Sequence, residues 1–391
     1  MIRLVLAARA LRAFADGFIA VVLPAYLLAL GLDQLQVGLI GTATLFGSAL
    51  TTLAVGRWGH RYSIRRMLLV ASVAMAVTGC AFAGLSSLWP LLVVAFIGTL
   101  NPSSGDATVF LPLDHTMLAT TPAERRTAVF ARYSFTGSVC AATGALVSGA
   151  PEWLAAHGWP MLAALRVMFL VYAAIGVTVW LLYLRLPDPH AQQEKRTAPL
   201  GPSRGIVWRL AGLFSVDAFA GGLLLNSLLA LWLFQRFGMT LTAAGAFFFW
   251  TGLLAATSQL LAAPLANRIG LINTMVFTHI PSSLCLIGAA LAPSLPAALG
   301  LLLLRSALSQ MDVPARSAFV MSVVTPAERP AAASFTAVPR ALAAAVGPSI
   351  TGALFTAGAM AVPLVGCGVL KIAYDLALFA AFRRVEAERA A

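Results

Sequence analysis

The sequence predicts an all-α polytopic membrane protein, with twelve transmembrane helices in two six-helix bundles related by pseudo-two-fold symmetry. Three observations predict it. The 391-residue chain is 60% hydrophobic and 10% charged, with a mean hydropathy of +0.88, where a soluble domain carries about 25% charged residues. Twelve stretches approach the roughly 20 apolar residues that a helical span needs. The pentapeptide TPAER occurs at 121–125 and again at 325–329. These copies lie 204 residues apart (325 − 121), about half the chain, which points to duplication of a membrane-spanning unit.

The spans run over 4–31, 35–56, 66–87, 89–118, 123–149, 160–185, 206–235, 240–264, 273–292, 296–322, 327–356 and 361–382. The first resembles a signal peptide only in Arg3 and the apolar run after it. Asp16 interrupts that run and the apolar stretch continues to Leu30, so it reads as a membrane helix. The fourth, GTLNPSSGDATVFLPLDHTML, is the most polar, and Pro102, Gly105 and Pro112 predict a kinked or loosened helix. The fifth and eleventh start on the pentapeptide. Thr121 and Thr325 are placed as N-caps, Pro122 and Pro326 at the first helical position, and Glu124 and Glu328 at the third, completing a capping box. The tenth, RSALSQMDVPARSAF, is the counterpart of the fourth. In the twelfth, Lys371 and Asp375 stand at i and i+4, where they can pair on one face in a structural role.

The stretch LPDPHAQQEKRTAPLGPSR, rich in Pro and charge, is the one clear linker. The domains are therefore 1–186, a linker over 187–205, and 206–391. Aligning the halves matches Asp16 with Asp217 at an offset of 201, and His60-Arg61 with Asn267-Arg268 at 207.

The net charge of +12 does not point to nucleic acid, because the basic residues cluster in alternate loops. Arg57, Arg61, Arg65 and Arg66 follow the second span, Arg125 and Arg126 the fourth, and Arg185, Lys195, Arg196, Arg204 and Arg209 border the linker. Arg268, Arg329, Arg383 and Arg384 lie on the same side, and the opposite loops hold little beyond Asp33, Glu152, His157 and Arg236. Basic loops face the cytoplasm, which places both termini there. Trp58, Trp89, Trp153, Trp159 and Trp208 fall near span ends, as an aromatic belt does. Cys80, Cys140, Cys285 and Cys367 fall within spans with no CxxC, and read as small buried apolar residues without a metal or redox role.

The basic loop after the second span carries a resemblance. It reads Gly56-Arg57-Trp58-Gly59-His60-Arg61-Tyr62-Ser63-Ile64-Arg65-Arg66. With the 6+6 spans, internal termini and central loop, it resembles the major facilitator superfamily of secondary transporters, whose loop reads Gly-x-x-x-Asp-Arg-x-Gly-Arg-Arg. The segment from Gly31 to Gly38, GLDQLQVG, is similar to that family's turn into span two. The resemblance covers the whole chain and implies its fold. Two departures stand out: His60 replaces the loop acid, which in the family helps latch the outward-open state, and Ser63 replaces the second glycine. The span-four arginine linked to proton coupling in some members is missing, with Asn101 near its place. The resemblance makes Gly56, His60, Arg61, Arg65, Arg66, Arg125, Arg268 and Arg329 the candidate gating residues. It also places spans one, four, seven and ten around a central cavity, with five and eleven beside it.

Ionisable groups inside a bilayer are costly and persist where they pair or line a wet cavity. Here they are Arg12 and Asp16 in span one, Asp106, Asp114 and His115 in span four, and Asp217 in span seven. Arg305, Asp312 and Arg316 lie in span ten, with Arg132 and Arg340 in spans five and eleven. The substrate- or proton-binding candidates are Asp16, Asp106, Asp217, Arg305, Asp312, Arg316, Arg132 and Arg340. Asp16 and Asp217 can alternatively pair with Arg132, Arg340 or Arg12, and Asp114 with His115 reads as a gate or structural pair. Two polar, proline-bearing helices in equivalent positions of two repeats point to the binding site. No nucleotide motif, HExxH or GxSxG is present, so neither ATP hydrolysis nor an enzyme is expected. The expectation is a monomeric, cofactor-free transporter of a bacterial inner membrane, in contact with lipid, exporting a small organic or amphiphilic compound by proton-coupled alternating access. The alternatives are a symporter taking up a small organic anion, held by Arg305, Arg316 or Arg340, and a membrane sensor that binds without translocating.

Overall fold

A computed structural model describes residues 1–103, 108–119, 121–187, 201–325 and 328–390. All regular elements among them are helical. Lipid offers no hydrogen bonds, so a spanning backbone must satisfy its own N–H and C=O groups. Among the described residues, nine helices are long and apolar enough to cross a membrane. Spans one to three are Ile2–Ala29, Gln34–Trp58 and Ile64–Gly84, and spans five and six are Ala123–Val147 and Met161–Leu184. Span seven is Arg204–Gly222 continued by Asn226–Phe237. Spans eight and nine are Leu241–Ile269 and Leu271–Ala290, and the last two are Arg329–Thr356 and Val362–Ala390. A short helix, Ala150–Ala156, occupies the loop after span five. The five tryptophans near span ends are all exposed. The cysteines differ from expectation: Cys367 is buried, but Cys80 is exposed and the other two are intermediate.

Spans four and ten are broken rather than kinked. Span four is Leu88–Ile97 and Phe110–Ala119, and span ten is Leu295–Leu308 and Asp312–Val323. Pro112 and Pro314 sit in the first turn of the second pieces. There a missing N–H removes no helical bond, so each proline starts a helix instead of bending one. Span seven breaks at Leu223–Leu225 without a proline, and its Ser227 N–H donates to the Pro102 carbonyl in the break of span four at 3.1 Å. Irregular backbone at membrane depth is thus satisfied by protein.

The capping box expected at the second pentapeptide is not formed. Span five starts at Ala123 with no side-chain cap, and span eleven starts at Arg329, one residue past Glu328. The side chains of Glu124, Arg125 and Arg329, and residues 326–327 entirely, lie outside the described residues. The Glu328 carboxylate instead accepts from the Thr325 and Ser203 hydroxyls, each at 2.6 Å, and from the Gly201 N–H. It ties the start of span eleven to the entry of span seven. A reciprocal capping box does form at span two, where Gln36 N–H donates to Asp33 at 2.8 Å and Asp33 N–H to the Gln36 amide oxygen at 3.0 Å.

The duplication extends to backbone contacts. Gly17 of span one presses on the Ala141 carbonyl of span five, and Gly144 of span five on the Phe14 carbonyl of span one. Gly222 of span seven presses on the Ala344 carbonyl of span eleven, and Gly347 on the backbone of Gly222 and Leu223. The offsets are 205 (222 − 17), 203 (344 − 141) and 203 (347 − 144). A Cβ at any of these four glycines would overlap backbone atoms of the facing helix, and such close approach drives helix association in lipid.

The halves meet through span two on span eleven and span five on span eight. These two pairs exchange under the pseudo-two-fold. Gly38 packs on the Pro348 carbonyl and Gly352. Leu35 N–H donates to Thr356 Oγ1 and Ser349 N–H to Thr42 Oγ1, both at 3.0 Å. On the other seam Glu152 accepts from Leu241 N–H at 2.6 Å, Thr242 N–H at 3.0 Å and Thr242 Oγ1 at 2.5 Å. These bonds lie toward the ends of the spans opposite the two termini.

The hydrogen bonds from Ser203, Thr325 and Gly201 pull the Glu328 carboxyl from its ordinary 4.5 down to about 2. Its folded value lies below the unfolded one, so its contribution to stability is complete above about pH 4.5 and is lost as pH falls towards about 2. The melting temperature should fall more steeply across that window in the wild-type protein than in Glu328→Gln. Parallel curves would show that this carboxylate does not hold the two segments together.

Candidate substrate and proton site

Span seven brings Asp217 into the centre of the second half, where it is 5% exposed. Arg316 Nη1 donates to Asp217 Oδ2 at 2.9 Å, and Lys371 Nζ donates to Oδ1 at 2.6 Å. Arg316 also bonds Asp312 one turn earlier on its own helix. The Lys371 ammonium has a second contact, His279 Nε2 of span nine at 3.3 Å, while His279 Nδ1 meets Asp375 at 3.0 Å. One continuous network thus joins spans seven, nine, ten and twelve. The expected Lys371–Asp375 pair is corrected: the two share a face, but His279 stands between them, and the ammonium goes to Asp217. A lone carboxylate costs more to bury than one paired with a cation, and Asp217, buried at 5% exposure, takes the ammonium at 2.6 Å.

The first half builds a different cluster. Arg12 of span one bonds Asp114 of span four and the Tyr183 hydroxyl of span six. Asp114, fully buried, also accepts from the Tyr133 hydroxyl at 2.8 Å and from Tyr183 at 3.2 Å. The Arg12 guanidinium lies 4.2 Å from the centre of the Phe110 ring, and Arg9 lies 5.0 Å from that of Tyr133, both within cation–π range. Charge polarity is reversed between the halves: span one supplies a cation to span four's carboxylate, and span seven supplies a carboxylate to span ten's cation. His115 is not the partner of Asp114; its ring stacks edge-on to Phe130 and Tyr133.

The remaining candidates are scattered. Asp16 is buried, and Asn101 Nδ2 donates to it at 3.4 Å. Arg340 is half-buried, near enough to Arg316, Asp217 and Asp312 to feel their charges, and its Nε has no hydrogen-bond partner. Arg305 is half-buried in the first piece of span ten, where its backbone carbonyl accepts from Ser282 at 3.4 Å. Arg132 is exposed and stands apart from both clusters. Asp106 lies outside the described residues. Sequence reading missed His279, Tyr133, Tyr183 and Glu152. For His279 the signal was present, an ionisable residue inside the apolar run FTHIPSS.

In the loop after span two, Arg65 donates to the Leu184 carbonyl at the end of span six at 2.6 Å. Ser63 accepts from Arg66 N–H at 3.3 Å and caps span three, which gives the serine at the second-glycine position a structural use. Arg61, Arg66 and Arg268 are exposed. Gly56 faces open space, and the His60 side chain lies outside the described residues.

Removing Asp217 leaves two cations facing each other at low dielectric. Asp217→Asn should destabilise the folded protein by about 3–5 kcal/mol, the usual cost of breaking a buried pair. Arg132→Gln, at an exposed position, should change it little. Equal melting temperatures for Asp217→Asn and the wild-type protein would show that the network contributes no stability.

The profile of the Major Facilitator Superfamily matches residues 5–308. An uncharacterized membrane protein of Saccharomyces cerevisiae, YJR124C, is 24% identical over 99% of this chain and 95% of its own length. Among solved structures, the inward-open xylose transporter XylE from E. coli aligns with a TM-score of 0.75 at 14% identity, covering 97% of this chain and 96% of that one. The nucleoside transporter NupG aligns with a TM-score of 0.74 at 14% identity, over 97% and 98%. At such identities the likeness is one of fold and selects no substrate for this chain. The family match, the twelve-span architecture and the whole-chain likeness establish that the protein is a membrane transporter belonging to the Major Facilitator Superfamily.

Proposed function

We propose that the protein is a proton-coupled secondary transporter that exports a small organic or amphiphilic compound by alternating access, as a monomer in a bacterial inner membrane with both termini cytoplasmic. The moving bodies are residues 1–186 and 206–391, joined by the linker over 187–205. The observation that carries this reading is the one-sided seal. Spans two on eleven and five on eight close the end opposite the termini through backbone-level contacts. Rocking about the midplane would break that seal and form another at the far end. The charged groups of spans one, four, seven and ten lie between the two ends, and the apolar spans around them support an organic passenger. Asp16, buried in span one and reached by Asn101 Nδ2 at 3.4 Å, is the central carboxylate we assign to proton exchange.

A second reading, uptake of a small organic anion with protons, has its own support. Arg305 and Arg340 are intramembrane cations without a salt bridge among the described residues. Arg316 does not serve, because Asp217 and Asp312 already neutralise it.

A thermal-shift screen over drugs, organic acids and sugars should find a stabilising compound. In proteoliposomes an imposed pH gradient should then move that compound, and a protonophore should stop it. Tight binding without movement would defeat the transporter mechanism in favour of a sensor. Glu152→Gln weakens the seal by about 1–3 kcal/mol. It should therefore raise maleimide labelling of Leu225→Cys, in a background lacking native cysteines, about ten-fold from the sealed side. Unchanged labelling would remove Glu152 from the seal.

A further inference from the structure

We propose that His279 Nε2 is a proton-binding site in competition with the Lys371 ammonium, so that one cation at a time occupies the place beside Asp217. The inference rests on the proton-coupled reading above and deepens it by naming where a proton loads.

An ammonium only donates hydrogen bonds. Lys371 Nζ at 3.3 Å from His279 Nε2 therefore fixes Nε2 as the bare, accepting nitrogen. The ring proton is on Nδ1, donated to Asp375 at 3.0 Å. The imidazole is neutral in this conformation, and its free nitrogen is capped by a cation. A proton arriving from solution can take Nε2 only when Lys371 withdraws, since two positive groups cannot share that contact. Asp217 Oδ1 stands 4.0 Å from Nε2, close enough for a small ring movement to turn the new Nε2–H onto the oxygen that Lys371 has left. The exchange conserves charge around Asp217: His279 gains one proton, and Lys371 keeps its own three and moves away. Lys371 is the mobile partner by construction. It has a four-carbon stem, and its side chain is 13% exposed, against 6% for His279 and 0% for Asp375.

The surrounding groups support an exchange of this kind. From span twelve, Lys371, Asp375 and the Tyr374 ring, 6.3 Å away, face His279. From span seven it meets Asp217. From the second piece of span ten come Arg316 and Asp312, both committed to the far side of Asp217. From the first piece, Arg305 touches span nine through its backbone carbonyl and Ser282. Arg268, the basic group of span eight, lies in that helix's last turn. Two cations bonded into the network, Arg316 and Lys371, face three carboxylates, Asp217, Asp312 and Asp375, so a third positive charge is accommodated. In the first half the Asp114 carboxylate is instead met directly by Arg12, Tyr133 and Tyr183.

The composition makes the test direct. Lys195 and Lys371 are the only lysines, and there are five histidines. The full chain is labelled with 15N at the lysine Nζ and histidine ring positions, reconstituted in nanodiscs and followed by NMR from about pH 8 to 5. The His279 signal is identified by its loss in His279→Gln. At high pH the ring should show the neutral Nδ1–H pattern. As it converts to imidazolium, the Lys371 Nζ signal should shift in the same step, while Lys195 follows no such step. A ring with its proton on Nε2 at high pH overturns the proposal, and so does a ring that charges while Lys371 stays put. As a second measurement, an acid jump over that range should load about one proton fewer per chain on folded His279→Gln than on wild type; equal uptake also overturns it. If a pH gradient drives no flux in the assay above, the proton-coupled reading fails, and the NMR result still decides the exchange by itself.

Discussion

Asp217 sets the terms for the second half of the molecule. A carboxylate in a bilayer interior is expensive unless its charge is matched, and here it is matched twice, by Arg316 on one oxygen and Lys371 on the other. Each match recruits another group. Arg316 brings Asp312 from one turn earlier, and Lys371 brings His279, which brings Asp375. Four spans are therefore bound to one acid. The broken geometry of span ten belongs to the same constraint. Its second piece begins at Asp312, so the first-turn carboxylate is stabilised by the helix N-terminus as well as by Arg316.

The two halves repeat their backbone and not their chemistry. Glycine contacts recur at offsets of 203 to 205, because close approach of two helices depends on the absent side chain and tolerates little else. The charged clusters diverge freely, since what lipid requires is only that each charge be answered. Tyrosine hydroxyls answer in the first half, and a histidine and a lysine in the second. In the second half an imidazole, His279, is bonded between the lysine and a further carboxylate. The asymmetry suits a carrier whose passenger need not be held alike by both halves.

The seal between the halves uses another kind of interaction. Glu152, from a short helix outside the membrane spans, accepts the leading N–H groups of span eight. Those are donors that every helix leaves unpaired, and a negative charge is favoured at that end of the helix dipole. Span two and span eleven close by small residues and hydroxyls instead. Both are contacts that can be broken and remade, since neither is a desolvated charge pair.

How far the site was legible follows from range. The helical membrane fold, its repeat and the breaks in the polar fourth and tenth spans were foreshadowed in the chain, because hydropathy and repeats are properties of one dimension. The capping box at Thr325–Glu328 was read wrongly for the same reason: local spacing allowed it, but Ser203 and Gly201, more than a hundred residues earlier, supplied better donors to the carboxylate. Lys371 and Asp375 were a plausible i,i+4 pair until His279 came between them. By itself the sequence determined a duplicated, twelve-span membrane protein and the inventory of charges it must bury. Only the tertiary structure decided which charge answers which. In a low-dielectric interior the partner is chosen by distance across helices, and that distance is created by packing rather than by order along the chain.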